Sequence, residues 1–109
     1  MKKLIQKIKY LFMREPCFMI IGRFDEKKDD DFLSELMTNM KGFVRGLGAN
    51  LSGYCDSYNL DFVVWSNNII IDEKIRQKVK DKFEALPELR NLTISNFIEQ
   101  SEVFENVEG

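Results

Sequence analysis

An α+β domain of ferredoxin-like order, β-α-β-β-α-β, is what the sequence predicts, with two helices on one face of a four-stranded antiparallel sheet. Three observations predict it. Two stretches of helical periodicity, residues 31–44 and 72–86, are each bracketed by short apolar runs. Those runs, at 17–24, 51–58, 60–66 and 91–98, have the length and composition of strands. A hydrophobic fraction of 44%, with nine Phe and one Trp in 109 residues, is enough for one core and one domain.

The elements follow in order. Residues 2–14 place Leu4, Ile5, Ile8, Leu11 and Phe12 on one helical face, with lysines filling the other. An extra N-terminal amphipathic helix over 1–15 is therefore expected, stopped by Pro16, which holds Glu15 extended. Its apolar stripe suits docking on its own domain, a partner or rRNA contact, or a membrane surface, and the spacing leaves all three open. The α+β domain spans 16–98. Cys17–Ile21 is continuously apolar, as in a central strand. The acidic run DEKKDDD (25–31) then supplies turn residues and an N-cap with negative charge where the helix dipole favours it.

In the first helix Phe32, Leu33, Leu36, Met37, Met40, Phe43 and Val44 make one broad apolar stripe, closed by Gly46 and Gly48. Leu60, Phe62 and Val64 alternate with Asp61, Val63 and Trp65, so 51–58 and 60–66 read as an antiparallel pair with a turn near 57–59. Asp72 is the expected N-cap of the second helix, which buries Ile75, Val79, Phe83 and Leu86 before Pro87. Lys74, Arg76, Lys78, Lys80 and Lys82 are expected to make its outer face basic. The last strand alternates Leu92 and Ile94 against Thr93 and Ser95.

The net charge of −2 hides an asymmetry. Residues 1–15 hold Lys2, Lys3, Lys7, Lys9 and Arg14 against Glu15 alone, a net +4 that leaves −6 for the rest. From Glu99 to Gly109 there are four Glu and no Lys or Arg, an acidic tail. The two cysteines, Cys17 and Cys55, form no C-x-x-C pair and read as thiols in a reducing cytosol. The leader has no continuous apolar core and no small-residue cleavage site, so it does not read as an export peptide. No apolar run is long enough to span a bilayer. The expectation is a cytoplasmic protein without membrane insertion.

Little in the chain suggests catalysis. There is no histidine, which removes the commonest general base and the histidine-dependent nucleophile pairs. Asp56, Asp61 and Asp72 fall beside turns or strand ends, where capping is the expected role. DEKKDDD lacks the central glycine and terminal Glu of a calcium loop. GLGANLSG (46–53) follows a helix and precedes a strand, the reverse of a phosphate-cradling loop. No enzyme activity, cofactor or metal is expected. Tyr54, Tyr58 and Trp65 are the aromatics that a sheet could offer to bases, but the first strand lacks an RNP1-like pattern.

The chain resembles the YggL family of bacterial proteins that associate with the large ribosomal subunit. The similarity covers roughly residues 18–99. It comprises a first strand ending Arg23-Phe24 and an acidic-capped helix with Phe32 and Leu36 on its apolar face. Ser52-Gly53-Tyr54, the strand through Phe62–Trp65 and a helix opening at Asp72-Glu73 continue it, behind a basic leader. The ending Ser101-Glu102-Val103-Phe104-Glu105 has no Trp, where family members close on an acidic-aromatic stretch containing Asp and Trp. The resemblance implies a non-catalytic, ribosome-associated binding protein.

The expected contacts are Lys3, Lys7, Lys9, Lys78 and Lys82, meeting the phosphates of large-subunit rRNA. The alternative is a protein-directed inhibitor (an immunity protein, antitoxin or phage anti-defence factor). It would mask one basic partner with Asp61, Glu99 and Glu102. Homodimerisation through the sheet or the N-terminal helix stays open.

Overall fold

The computed structural model describes residues 16–99. The expected N-terminal helix and the acidic tail from residue 100 onward lie outside the described residues. The elements are β1 (Pro16–Phe24), α1 (Asp30–Gly46), β2 (Asn50–Cys55), β3 (Asn59–Trp65), α2 (Glu73–Glu84), β4 (Leu89–Ile94) and a two-residue β5 (Ile98–Glu99). The four longer strands run in the order β2-β3-β1-β4, every pair antiparallel, and β5 pairs with the start of β1. This is an α+β fold consistent with a ferredoxin-like sandwich.

Both helices pack on one face of the sheet. Phe18, Ile20, Leu60, Phe62 and Val64 from the central strands meet Leu36, Met40 and Val44 of α1 and Val79 and Phe83 of α2 in one cluster. Period-two alternation therefore sends the odd-numbered residues of β1 and β3 to the opposite face. Met19, Ile21, Asp61, Val63 and Trp65 stand there. Both helices start on an aspartate cap. Asp29 Oδ1 accepts the Phe32 amide at 2.8 Å, and Asp72 Oδ1 accepts the Ile75 amide at 2.9 Å.

The helices end within two residues of the expected bounds, and three strand boundaries differ from the sequence expectation for local reasons. The β2–β3 turn begins earlier than 57–59, because Asp56 Oδ1 accepts the amides of both Tyr58 and Asn59 at 2.8 Å and ends β2 at Cys55. The last strand starts two residues sooner, at Leu89, and carries a bulge. There Asn91 and Leu92 together oppose Gly22, and Asn91 takes a positive φ of 52°. It also breaks after Ile94 instead of running to 98. Ser95 Oγ accepts the Met19 amide at 2.8 Å, standing in for a backbone carbonyl, while the Ser95 amide donates to Met19 O at 2.9 Å, and regular pairing resumes at β5.

Among the described residues, no helix is long and apolar enough to cross a membrane. Both cysteines are thiols, Cys17 buried and Cys55 half-buried. Burial, and then the adjacent Asp56 carboxylate, push the Cys55 thiol up.

Candidate functional site

The basic residues of α2 divide by helical phase. Ile75, Val79 and Phe83 face the core, so residues on either side of that stripe project to different flanks. Lys74, Lys78 and Lys82, spaced by four, form a solvent-exposed row on the flank toward α1. Arg76 and Lys80 lie on the other flank, and the expectation of a single five-residue basic face is corrected accordingly. Arg76 is largely covered. Its Nε donates to Ser95 O at 2.9 Å and its Nη1 to Glu73 Oε1 at 3.0 Å, tying α2 to the end of β4. Lys80 is half-buried and 3.9 Å from Glu84.

The row borders a shallow open trough where the two helices meet. Phe43 and Leu47 of α1 supply its apolar floor, with Lys78, Asp81, Lys82 and Ala85 along α2. Lys82 Nζ lies 5.3 Å from the Phe43 ring centroid, a cation–π contact that holds the ammonium at the rim. Gln77 Nε2 donates to Asp81 Oδ1 at 2.9 Å, occupying that carboxylate. Among the described residues, Lys74, Lys78 and Lys82 make no ion pair. Three cations at a helix flank beside a half-buried ring can bind an anionic surface.

Of the five lysines expected to make contact, Lys78 and Lys82 are brought together at this trough. Lys3, Lys7 and Lys9 lie outside the described residues. Lys74 completes the row, and its signal was the i, i+4, i+8 spacing rather than its charge alone. A second basic pair, Lys41 and Arg45, stands one turn apart on α1 beside Asn50, Ser52 and Trp65.

Asp56 and Asp25 each hold local structure. The backbone amides of Tyr58 and then Asn59 hold Asp56 below the usual carboxylate range. Lys28, whose ammonium is 2.8 Å from Asp25, does the same for Asp25. Asp61 is half-buried on the sheet face opposite the helices. No three His, Cys, Asp or Glu side chains converge as a metal cage would need among the described residues. The aromatics do not form a stacking platform. Tyr58 sits in the β2–β3 turn, Tyr54 pairs across from Asp61, and the Trp65 indole donates to Ser52 Oγ at 2.8 Å. On that face the central strand β1 offers Cys17, Met19, Ile21 and Arg23, where a single-strand RNA binder needs rings.

The fold and the lysine row together define a small α+β domain with a basic helix flank. No family profile, curated protein or solved structure matches the chain.

Proposed function

We propose that this chain is a non-catalytic binding domain of ferredoxin-like fold that acts in the cytoplasm and associates with the large ribosomal subunit through rRNA phosphates. The observation that carries the reading is the exposed row Lys74, Lys78 and Lys82, unneutralised by ion pairs among the described residues. Phosphate recognition on folded RNA needs charge and shape rather than base stacking, which suits a central strand β1 with no aromatic ring on the face turned away from the helices. The resemblance to the YggL family supports the choice of partner. The leader adds Lys3, Lys7 and Lys9 to the basic residues of the chain, and the reading counts them as contacts as well.

Co-sedimentation with purified 50S particles tests this. The wild-type chain should pellet with the particles at low salt, and the reversal K78E/K82E should reduce the bound fraction at least fivefold. Reversing Lys3, Lys7 and Lys9 together should abolish it. Unchanged pelleting of both variants would reject the assigned surface. A tagged chain that instead recovers one stoichiometric basic protein, without rRNA, would establish the inhibitor reading. Asp61, Glu99 and Glu102 would then be the contacts to map, together with the exposed acidic start of α1 at Asp30 and Asp31.

A further inference from the structure

The sheet face turned away from the helices poses a problem of cover. Cys17 is fully buried and Val63 is 8% exposed, yet both stand outside the helix-side core cluster. The alternation of β1 and β3 puts them on the opposite face with Met19, Ile21 and Trp65. None of the described elements crosses that face, since α1 and α2 occupy the other one and β5 lies in the plane of the sheet. An antiparallel sheet with a wet face alternates apolar and polar residues. Here the odd-numbered positions of β1 from Cys17 to Ile21 are all apolar, and Val63 and Trp65 continue the patch on β3; cover is greatest at Cys17 and Val63, and Ile21 at the far end is 45% exposed. A hollow of about 220 Å3 lies among Met19, Ser52, Tyr54, Asp61 and Val63.

We infer that residues 2–14 of this same chain dock as a helix across this face, with Leu4, Ile5, Ile8, Leu11 and Phe12 against the sheet. Connectivity is the first reason. The stretch ends at Arg14, and Glu15 alone links it to Pro16, which opens β1. The antiparallel register continues from the Phe18↔Val64 pair to bring Trp65 alongside Cys17, so the stretch begins its path beside the patch. Size is the second. A 13-residue helix is about 20 Å long, and four strands span about 14 Å between the outer axes. One such helix laid obliquely covers the sheet.

Composition is the third reason. The five apolar residues occupy one sector of the helix, and Lys2, Lys3, Lys7, Lys9 and Arg14 occupy the remainder. Docking buries the first set and leaves the second in water. The acidic tail is the poorer occupant, because its Glu102, Glu105 and Glu108 would be brought toward half-buried Asp61. A second copy is disfavoured by tethering, since a one-residue link holds the leader at an effective concentration on the order of millimolar. The docked helix therefore presents Lys3, Lys7 and Lys9 outward, whatever partner they meet.

Trp65 is the only tryptophan and lies at the patch, so the full chain carries its own reporter. I8D/L11D should shift Trp65 emission to the red and raise its quenching by acrylamide severalfold. K3Q/K7Q, on the opposite side of the same helix, should leave both unchanged. In the unaltered chain, methyl NOEs should connect Ile8 or Leu11 with Val63 or Ile21, and persist at full intensity when labelled protein is diluted with unlabelled. Absence of those NOEs, or unchanged emission in I8D/L11D, would overturn the docking. So would NOEs seen only between differently labelled molecules, which would assign the face to a dimer. None of these readouts involves the ribosome, so the docking and the proposed partner stand or fall separately.

Discussion

At the scale of single residues, the backbone of the β2–β3 hairpin depends on two positions. Gly53 has a φ of 128°, and a Cβ there would overlap the carbonyl oxygen of Asp61 on the paired strand. Side chains do not reach that conformation without strain. Gly53→Ala should therefore cost on the order of 3 kcal/mol, from strain and displacement of β3 together. A lowered urea midpoint at unchanged slope would register it, and a shift below about 0.5 kcal/mol would show that the ladder relaxes freely. Asp56, at the turn, makes a pH prediction. Its folded carboxyl lies below its ordinary value of 3.8, held there first by the Tyr58 amide and then by the Asn59 amide. A depressed folded pKa contributes stability that is fully present above the unfolded pKa and is lost as pH falls through the folded one. Asp25, lowered by its hydrogen bond from Lys28, acts in the same sense. Stability should thus decline below about pH 4, and Asp56→Asn should flatten part of that decline in urea titrations from about pH 6 to pH 2. An acid limb identical in the variant would remove Asp56 from its origin.

At the scale of elements, helix α2 is anchored by one side chain as much as by its apolar stripe. Arg76 reaches across to the carbonyls of Ser95 and Ile94, at 2.9 and 3.4 Å, where regular β4 pairing has just ended. The guanidinium satisfies acceptors that the strand break would otherwise leave half-covered. A lysine has neither the fork nor the planar donors to reproduce this. Arg76→Lys should destabilise by about 1–2 kcal/mol. It should also increase hydrogen exchange at the β4–β5 junction more than in α1. Equal protection in both variant and wild type would show that the helix is held by Val79 and Phe83 alone. Such a dependence was not legible from the sequence, where Arg76 counted as one of five outward cations. Residue type cannot distinguish a cation that faces water from one that caps a strand end. Helical phase can, since Arg76 lies two residues from both Lys74 and Lys78 and so projects to the opposite flank.

At the scale of the molecule, the sequence was readable wherever hydrophobic period and geometry coincide. Phe18 and Ile20, Leu60 through Val64, and the Leu36–Met40–Val44 stripe all lie where alternation or helical spacing puts them. The misplaced boundaries share one cause. At Asp56 and Ser95 a side-chain oxygen replaces a backbone partner, and at Asn91 a bulge inserts a residue. A pattern of apolar residues carries no mark of such substitutions. The lysine row was half legible for a related reason, since charge shows in composition but its neutralisation depends on where neighbouring carboxylates point. That distinction yields a quantitative expectation for the whole surface. Each cation seated on a phosphate releases counterions, so removing one lowers the steepness of log K against log salt by about 0.7–0.9. K78Q/K82Q should therefore reduce the slope for 50S binding by about 1.5, and K3Q/K7Q/K9Q by about 2–2.5. If both sets face one RNA surface at once, the combined variant should show the sum of the two reductions. A combined slope no lower than that of either parent variant would mean that the two basic surfaces do not engage the particle together. An unchanged slope would mean that these lysines touch no phosphate.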